Sequence, residues 1–325
     1  IIMYGVLVGE ATKSILKGQR ISLENCVHAS MEYGVNTAQL TWEAPDVRKW
    51  KNATFNGYHR EDGSVGTANI WLIIPMVFCE NRNVEVLKSA LQESLGYHTT
   101  NDFVVDTDAL VNQYKSGAST DDLMTADIMR TPEEIKQNRT FPNVDGIKFL
   151  THDGGCGGFR LDSETLTNLC AGYITNSNVA GATILSLGCQ NAEVKNLLEG
   201  IKKRDPNFSK PLYVLEQQKS KSERHFIEEA VKKTFLGLIE ANKNERKPAA
   251  LGHLTLGLEC GGSDGFSGIS ANPALGYASD LLVALGATTV LSEFPELNGV
   301  EQELINRCES KENKVKFAHL MDTYA

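Results

Sequence analysis

Short apolar runs rich in β-branched residues alternate along most of this 325-residue chain with segments whose apolar residues recur at helical spacing. The runs cover 69–77, 146–150, 183–187, 212–215, 254–258 and 288–291. Helical patterns over 84–95, 163–173, 192–202, 223–241, 275–285 and 300–307 follow most of them. That alternation marks βαβ units and predicts an α/β fold, with mostly parallel sheets flanked by helices. No repeat of fixed period interrupts it. Residues 1–50 are of another type: short apolar stretches alternate with turns at Gly9 and Gly18, which predicts a small β-rich module. Residues 42–56 read as a linker, and the acidic, polar stretch 99–139 is the least legible part. The expected organisation is 1–50, then 51–245, then a second α/β part over 246–325.

Several function classes are excluded at this level. The longest apolar run is the length of a buried strand and far short of the ~18 residues a membrane helix needs, so no membrane partner is expected. The net charge is −9, which speaks against a nucleic-acid partner without excluding a small anion. Seven cysteines, none in C-x-x-C, suit neither a disulfide scaffold nor a zinc knuckle. A reducing cytoplasm is the simplest setting. The chain opens Ile1-Ile2-Met3, in what reads as the middle of a strand, and closes at Ala325 just after a helical pattern. The expectation is a piece of a longer protein.

Chemistry concentrates where the apolar runs end. The run 69–77 is followed by Phe78-Cys79-Glu80-Asn81, and 146–150 by Thr151-His152-Asp153-Gly154-Gly155-Cys156-Gly157-Gly158. The next two ends carry Gly188-Cys189-Gln190-Asn191 and Glu216-Gln217-Gln218-Lys219. The last two carry Glu259-Cys260-Gly261-Gly262-Ser263-Asp264 and Ser292-Glu293-Phe294-Pro295-Glu296. In a parallel, Rossmann-like sheet, ligands bind outside the carboxyl ends of the strands, where these groups would sit. Cysteine is also a common small core residue, and that reading suits Cys26, Cys170 and Cys308. Cys79 admits either reading. Glycine neighbours favour a functional one for Cys156, Cys189 and Cys260. The Gly-rich loops permit positive φ and anion-binding turns, yet neither matches a P-loop or the G-x-G-x-x-G fingerprint. Thiolates favour iron, zinc or an iron–sulfur cluster, and carboxylates favour magnesium or manganese. His152 is either a general base or a satisfied structural histidine.

The longer motifs carry a resemblance. Gly57-Tyr58-His59-Arg60-Glu61-Asp62-Gly63-Ser64-Val65-Gly66-Thr67-Ala68-Asn69 resembles the GYxRxDGxVGTxN motif of the altronate/galactarate dehydratase family. His152 to Gly157, Leu187-Gly188-Cys189, Cys260 to Pro273 and Ser292 to Glu301 are similar to its further motifs, in family order over residues 57 to about 305. The Glu-Gln-Gln-Lys strand end and the Gly-Gly-Cys-Gly-Gly loop look closer to the altronate branch than to the galactarate branch. Residues 1–50 resemble the end of the family's small SAF-type β-clip domain, and the remainder of that domain, with its own histidine- and aspartate-bearing motif, has no counterpart here.

The resemblance implies a hydro-lyase that takes water from a sugar acid, converting D-altronate to 2-dehydro-3-deoxy-D-gluconate in hexuronate catabolism. It further implies Fe2+, alternatively Mn2+ or an iron–sulfur cluster, and a homo-oligomer, most simply a dimer. Galactarate dehydration or sulfolactate cleavage are the alternatives within the family, and a non-catalytic sugar-acid-binding module is the alternative outside it. Metal ligands are expected at Cys156, Cys189, Cys260, Glu293 and Glu296. His152 is the candidate base or a further ligand, and Asp264 and Ser263 are catalytic candidates that also face substrate hydroxyls. Arg60, Lys219, Gly155, Gly157, Gly261, Gly262 and Asn272 are expected to bind substrate.

Overall fold

The computed structural model describes residues 1–36, 40, 42–97, 104–130, 139–259, 261–262 and 264–324. They form two compact units, Thr54–Ala249 and Ile1–Ala53 with Ala250–Ala325. In chain order the larger unit contains β1 (Thr54–His59), β2 (Val65–Gly66), β3 (Ile70–Pro75), α1 (Asn81–Ser94), α2 (Thr107–Lys115), α3 (Thr120–Met124), β4 (Gly146–Phe149) and α4 (Arg160–Thr175). It continues with β5 (Val179–Ser186), α5 (Val194–Arg204), β6 (Leu212–Glu216), α6 (Glu223–Ala241) and β7 (Lys247–Ala250).

The core sheet runs β4-β3-β5-β6 with every pairing parallel. Every residue of β5 is buried, as a strand covered on both faces requires. The pleat of β3 sorts its side chains. Trp71 and Ile73 join Leu87 and Leu91 of α1 and Phe226, Ala230 and Leu238 of α6. Leu72 and Ile74 join Cys170, Ala171 and Ile174 of α4 and Leu197 and Ile201 of α5. Three layers result, with helices on both faces. Cys170 is a core residue with its thiol pushed up to about 11 by burial, in keeping with the packing role expected of it.

Strand order decides where a ligand would go. The chain lays down β3, places β4 on one side of it, then crosses back to place β5 on the other. Such a reversal opens a crevice outside the carboxyl ends of the two strands that flank it, here β3 and β5.

The opposite, amino-terminal edge is closed by half-buried cations. Arg60 donates to Ser177 O at 2.7 Å, Asn69 Oδ1 at 3.0 Å and Ala68 O at 3.3 Å. Lys210 Nζ donates to Ile174 O, Thr175 O and Asn176 O at 3.3, 3.1 and 2.6 Å, which satisfies the last carbonyls of α4. Burial, aided by the Arg60 guanidinium, pulls the Lys210 ammonium from 10.5 down to about 8. Between those two values the unfolded chain holds a proton that the folded chain has lost, so stability rises with pH across that window. Wild type should therefore gain stability relative to Lys210→Met from about pH 8 to pH 10.5 in denaturant titrations. A flat or falling difference would contradict this.

The smaller unit pairs Ile2–Met3 with Val6–Leu7 and Glu10–Ala11 with Cys26–Val27, both antiparallel. It also holds β8 (Thr255–Leu258), α7 (Ala271–Ala284) and β9 (Thr288–Leu291), a parallel βαβ unit, followed by α8 (Glu301–Arg307) and α9 (Lys311–Tyr324). Tyr33 donates to Asp322 at 2.7 Å, and the Gly34 N–H to Gln302 at 3.0 Å. Residues 1–53 thus pack within the unit that holds the carboxyl-terminal helices. No described helix is long and apolar enough to cross a membrane.

Candidate functional site

At the carboxyl end of β3 the chain turns through Phe78–Glu80 into α1, leaving Cys79 exposed. The loop after β4 crosses over this end. The Phe78 N–H donates to Gly154 O at 3.0 Å, and Gly155 is buried against the backbone of Met76 and Val77. Its φ of +95° and the close approach both require glycine. The same residue reaches the loop after β5, where the Ala192 N–H donates to Gly155 O at 3.0 Å. That bond ties together the loops carrying Cys156 and Cys189, at the reversal point of the sheet. Both thiols are exposed and free.

His152 locks the first loop. Its Nε2 donates to Pro75 O at 2.7 Å and its Nδ1 accepts the Gly154 N–H at 3.2 Å. The carbonyl partner requires the proton on Nε2, so both ring nitrogens are engaged. The His152 carbonyl accepts from Asn81 Nδ2 at 2.9 Å, joining the loop to α1. Beyond Cys156, Gly157 and Gly158 have φ of +75° and +68° and lead directly into α4. The start of α4 is capped from within, where the Phe159 N–H donates to Asp162 Oδ2 at 3.3 Å.

The loop after β5 is set by Gln190, a buried residue. Its Oε1 accepts the Gly188 N–H and its Nε2 donates to Ser186, both at 2.7 Å. Gly188 has a φ of +114°, and a Cβ there would meet Gln218 Oε1 at 2.8 Å and Glu216 Oε1 at 3.0 Å. That glycine lets the loops after β5 and β6 converge. Lys219 is exposed and pairs with Glu216 at 2.7 Å.

The larger unit thus brings His152, Gly155, Cys156, Gly157, Cys189 and Lys219 to one edge of the sheet. Arg60 does not join them. Its guanidinium bonds residues preceding β3 and β5, so it sits a strand length away, roughly 20 Å, with its donors on backbone and Asn69. Gly155 admits the backbone of Met76 and Val77, just past the end of β3. Glu80, Glu216 and Gln218 stand among the strand-end groups without being candidate site residues, and Asn83 lies inside α1 with no local signal.

In the smaller unit, Glu259, Asn272, Ser292 and Glu296 line a cleft of about 290 Å³ at the carboxyl ends of β8 and β9. Glu293 has a left-handed φ of 56°, strained for a residue other than glycine. Asp264 accepts the Phe266 and Ser267 N–H groups at 2.9 Å each, and these bonds hold its carboxyl below the ordinary range. Gly261 and Gly262 are exposed. Cys260 and Ser263 lie outside the described residues. Among the described residues no three His, Cys, Asp or Glu side chains come together in a way that could hold a metal ion.

A doubly covered parallel sheet with polar, Gly-rich loops at its reversal point defines an α/β protein with a candidate site at its strand ends. Two family descriptions match: D-galactarate dehydratase/Altronate hydrolase, second domain, over residues 57–242, and D-galactarate/Altronate dehydratase, C-terminal, over residues 251–325. The chain belongs to the D-galactarate dehydratase/altronate hydrolase family. It is 30% identical to altronate dehydratase of Bacillus subtilis (strain 168), over 100% of this chain and 55% of that protein. It is 28% identical to galactarate dehydratase (L-threo-forming) of Escherichia coli (strain K12), with the same two coverages. It is 28% identical to the (2R)-sulfolactate sulfo-lyase subunit beta of Chromohalobacter salexigens, over 56% of this chain and 45% of that subunit. The chain spans about half the length of the first two relatives.

Proposed function

We propose that this chain forms the catalytic part of a hydro-lyase acting on a sugar acid, with D-altronate as substrate and Fe2+ as cofactor. The observation that carries the reading is the bond from the Ala192 N–H to Gly155 O, which joins the Cys156 and Cys189 loops at the sheet's reversal point. Exposed thiols on Gly-flanked turns are a donor set that fits iron. Within the larger unit, Cys156 and Cys189 would hold it. When bound, the metal supplies Lewis acidity to a substrate carboxylate and hydroxyl. The chain's own share is positioning. Gly157 gives a substrate carboxylate open access to the backbone beside Cys156, since nothing lies within 4 Å of its Cβ position. Lys219 is a second cation for that carboxylate, shared with Glu216. His152, with both nitrogens bonded, holds the Cys156 loop in place rather than moving protons.

The test is anaerobic incubation of the full-length protein with Fe2+ and D-altronate, assaying for a 2-keto-3-deoxy acid. Product should form and vanish with chelator. Cys189→Ser should lower turnover by at least about 100-fold, the scale on which loss of one transition-state interaction is felt, with unfolding unchanged. Product from galactarate or sulfolactate alone would change the substrate. Altronate binding without turnover of any of the three would favour a binding module and overturn the proposal.

A further inference from the structure

Three buried side-chain oxygens in and beside the first turn of α1 have no hydrogen-bond partner: Glu80 Oε1, Asn81 Oδ1 and Asn83 Oδ1. Glu80 is 0% exposed and Asn83 3%. Partners fix both amide orientations. Asn83 Nδ2 donates to Glu80 Oε2 at 2.8 Å, and Asn81 Nδ2 donates to the His152 carbonyl at 2.9 Å. The atoms left over are therefore acceptors. Glu80 caps α1, yet its carboxyl takes no N–H from that helix, as an ionised carboxylate at a helix N-terminus ordinarily does. The unpartnered atoms of Glu80 and Asn83 are the complement of the bond the two already share. The amide N–H meets one carboxyl oxygen, and the other carboxyl oxygen and the amide oxygen are each left without a donor. One proton on Oε1 supplies it.

We propose that Glu80 and Asn83 form a carboxylic acid–amide pair, in which Glu80 Oε1–H donates to Asn83 Oδ1 while Asn83 Nδ2 donates to Glu80 Oε2. The surroundings favour the proton. Burial is the main influence on Glu80 and raises its carboxyl above the ordinary range. The Asn83 bond opposes this, and Glu223 at the start of α6 adds to it. Glu223 is itself paired with Arg82 at 2.9 Å, and on the β4 side His152 has both ring nitrogens bonded. The pair positions the site. It fixes the turn that presents the Asn81 amide to the His152 carbonyl, and so the loop that carries Cys156. That consequence rests on the strand-end site proposed above; the protonated pair does not. Losing the proton would leave a buried charge beside the unpartnered Asn83 oxygen. The stability contributed by the pair is therefore present below the ordinary carboxylate range and is lost as pH rises through the folded-state value.

The experiment compares the full-length wild type with Glu80→Gln and Asn83→Leu. Infrared difference spectra over a pH titration should show the carbonyl band of a protonated carboxylic acid in wild type that persists above the ordinary carboxylate range, and no such band in Glu80→Gln. A glutamine can make the same two bonds to Asn83. Glu80→Gln should thus unfold within about 2 °C of wild type and show a flatter pH dependence, while Asn83→Leu unfolds about 4 °C or more lower. Alkylation at the Cys156 peptide, read by mass spectrometry, should quicken in Asn83→Leu alone. No acid band, with Glu80→Gln as destabilised as Asn83→Leu, would overturn the pair and make an ion or a water the missing partner. Unchanged Cys156 alkylation in Asn83→Leu would overturn the positioning role. Absent turnover with the band and the rescue intact would sink the dehydratase reading and leave the pair standing.

Discussion

Gly155→Ala should destabilise the larger unit by roughly 2–5 kcal/mol and release the loop that carries Cys156. Two effects add. A left-handed backbone costs alanine about 1–2 kcal/mol, and φ at this position is +95°. The new Cβ would also overlap the Met76 carbonyl oxygen and the Val77 Cα. Those are backbone atoms at the end of the central strand, without a rotamer to escape into, and overpacking of this kind costs about 1–3 kcal/mol. Gly157→Ala is the control. It shares the loop and a positive φ of +75°, but nothing lies within 4 Å of its Cβ position. It should lose only about 1 kcal/mol, the conformational part. Denaturant titration of both variants separates the two terms. Equal losses would show that the contact with Met76 is unimportant.

Gly237→Ala should destabilise by about 2 kcal/mol, against the direction that helix propensity gives. Gly237 lies inside α6, where alanine is favoured over glycine by about 1 kcal/mol. A Cβ there would run into the ring of Trp71. That indole has nowhere to go. It is fully buried, its Nε1 donates to Thr183 at 3.1 Å, and a Cβ on Gly181 would meet its other side at 2.5 Å. Thr183 is held in turn by Thr234 at 2.8 Å. The expected cost of overpacking exceeds the propensity gain. A rise in the unfolding midpoint on substitution would refute this account of the α6–β3 contact.

The two glycines also show what can be read without coordinates. The βαβ elements were legible because their signals are local. The runs 69–77, 146–150 and 212–215 became β3, β4 and β6 nearly as bounded, and the helical pattern over 223–241 became α6. The stretch 99–139 was the least legible, and its described helices, nine and five residues long, are too short to show a sustained apolar stripe in sequence. Their caps were nevertheless written in it. Asp106 accepts the Ala109 N–H at 3.0 Å, and Ser119 with Asp122 forms a capping box. Cap signals without an apolar stripe behind them are easily passed over.

Family membership and the clustering of Cys, His and Gly at strand ends followed from the sequence alone, because motif wording and residue order survive without a fold. Tertiary structure decided which of those groups meet. The pairing of β5 beside β3 is a choice among strands distant in sequence, and it alone sets the reversal point and joins the Cys156 and Cys189 loops. It also sent Arg60 to the far edge, engaged both nitrogens of His152, and buried Glu80 against Asn83. Nothing local marks these outcomes, since each depends on which backbone or carbonyl the folded chain brings within 3 Å or so, the reach of a hydrogen bond.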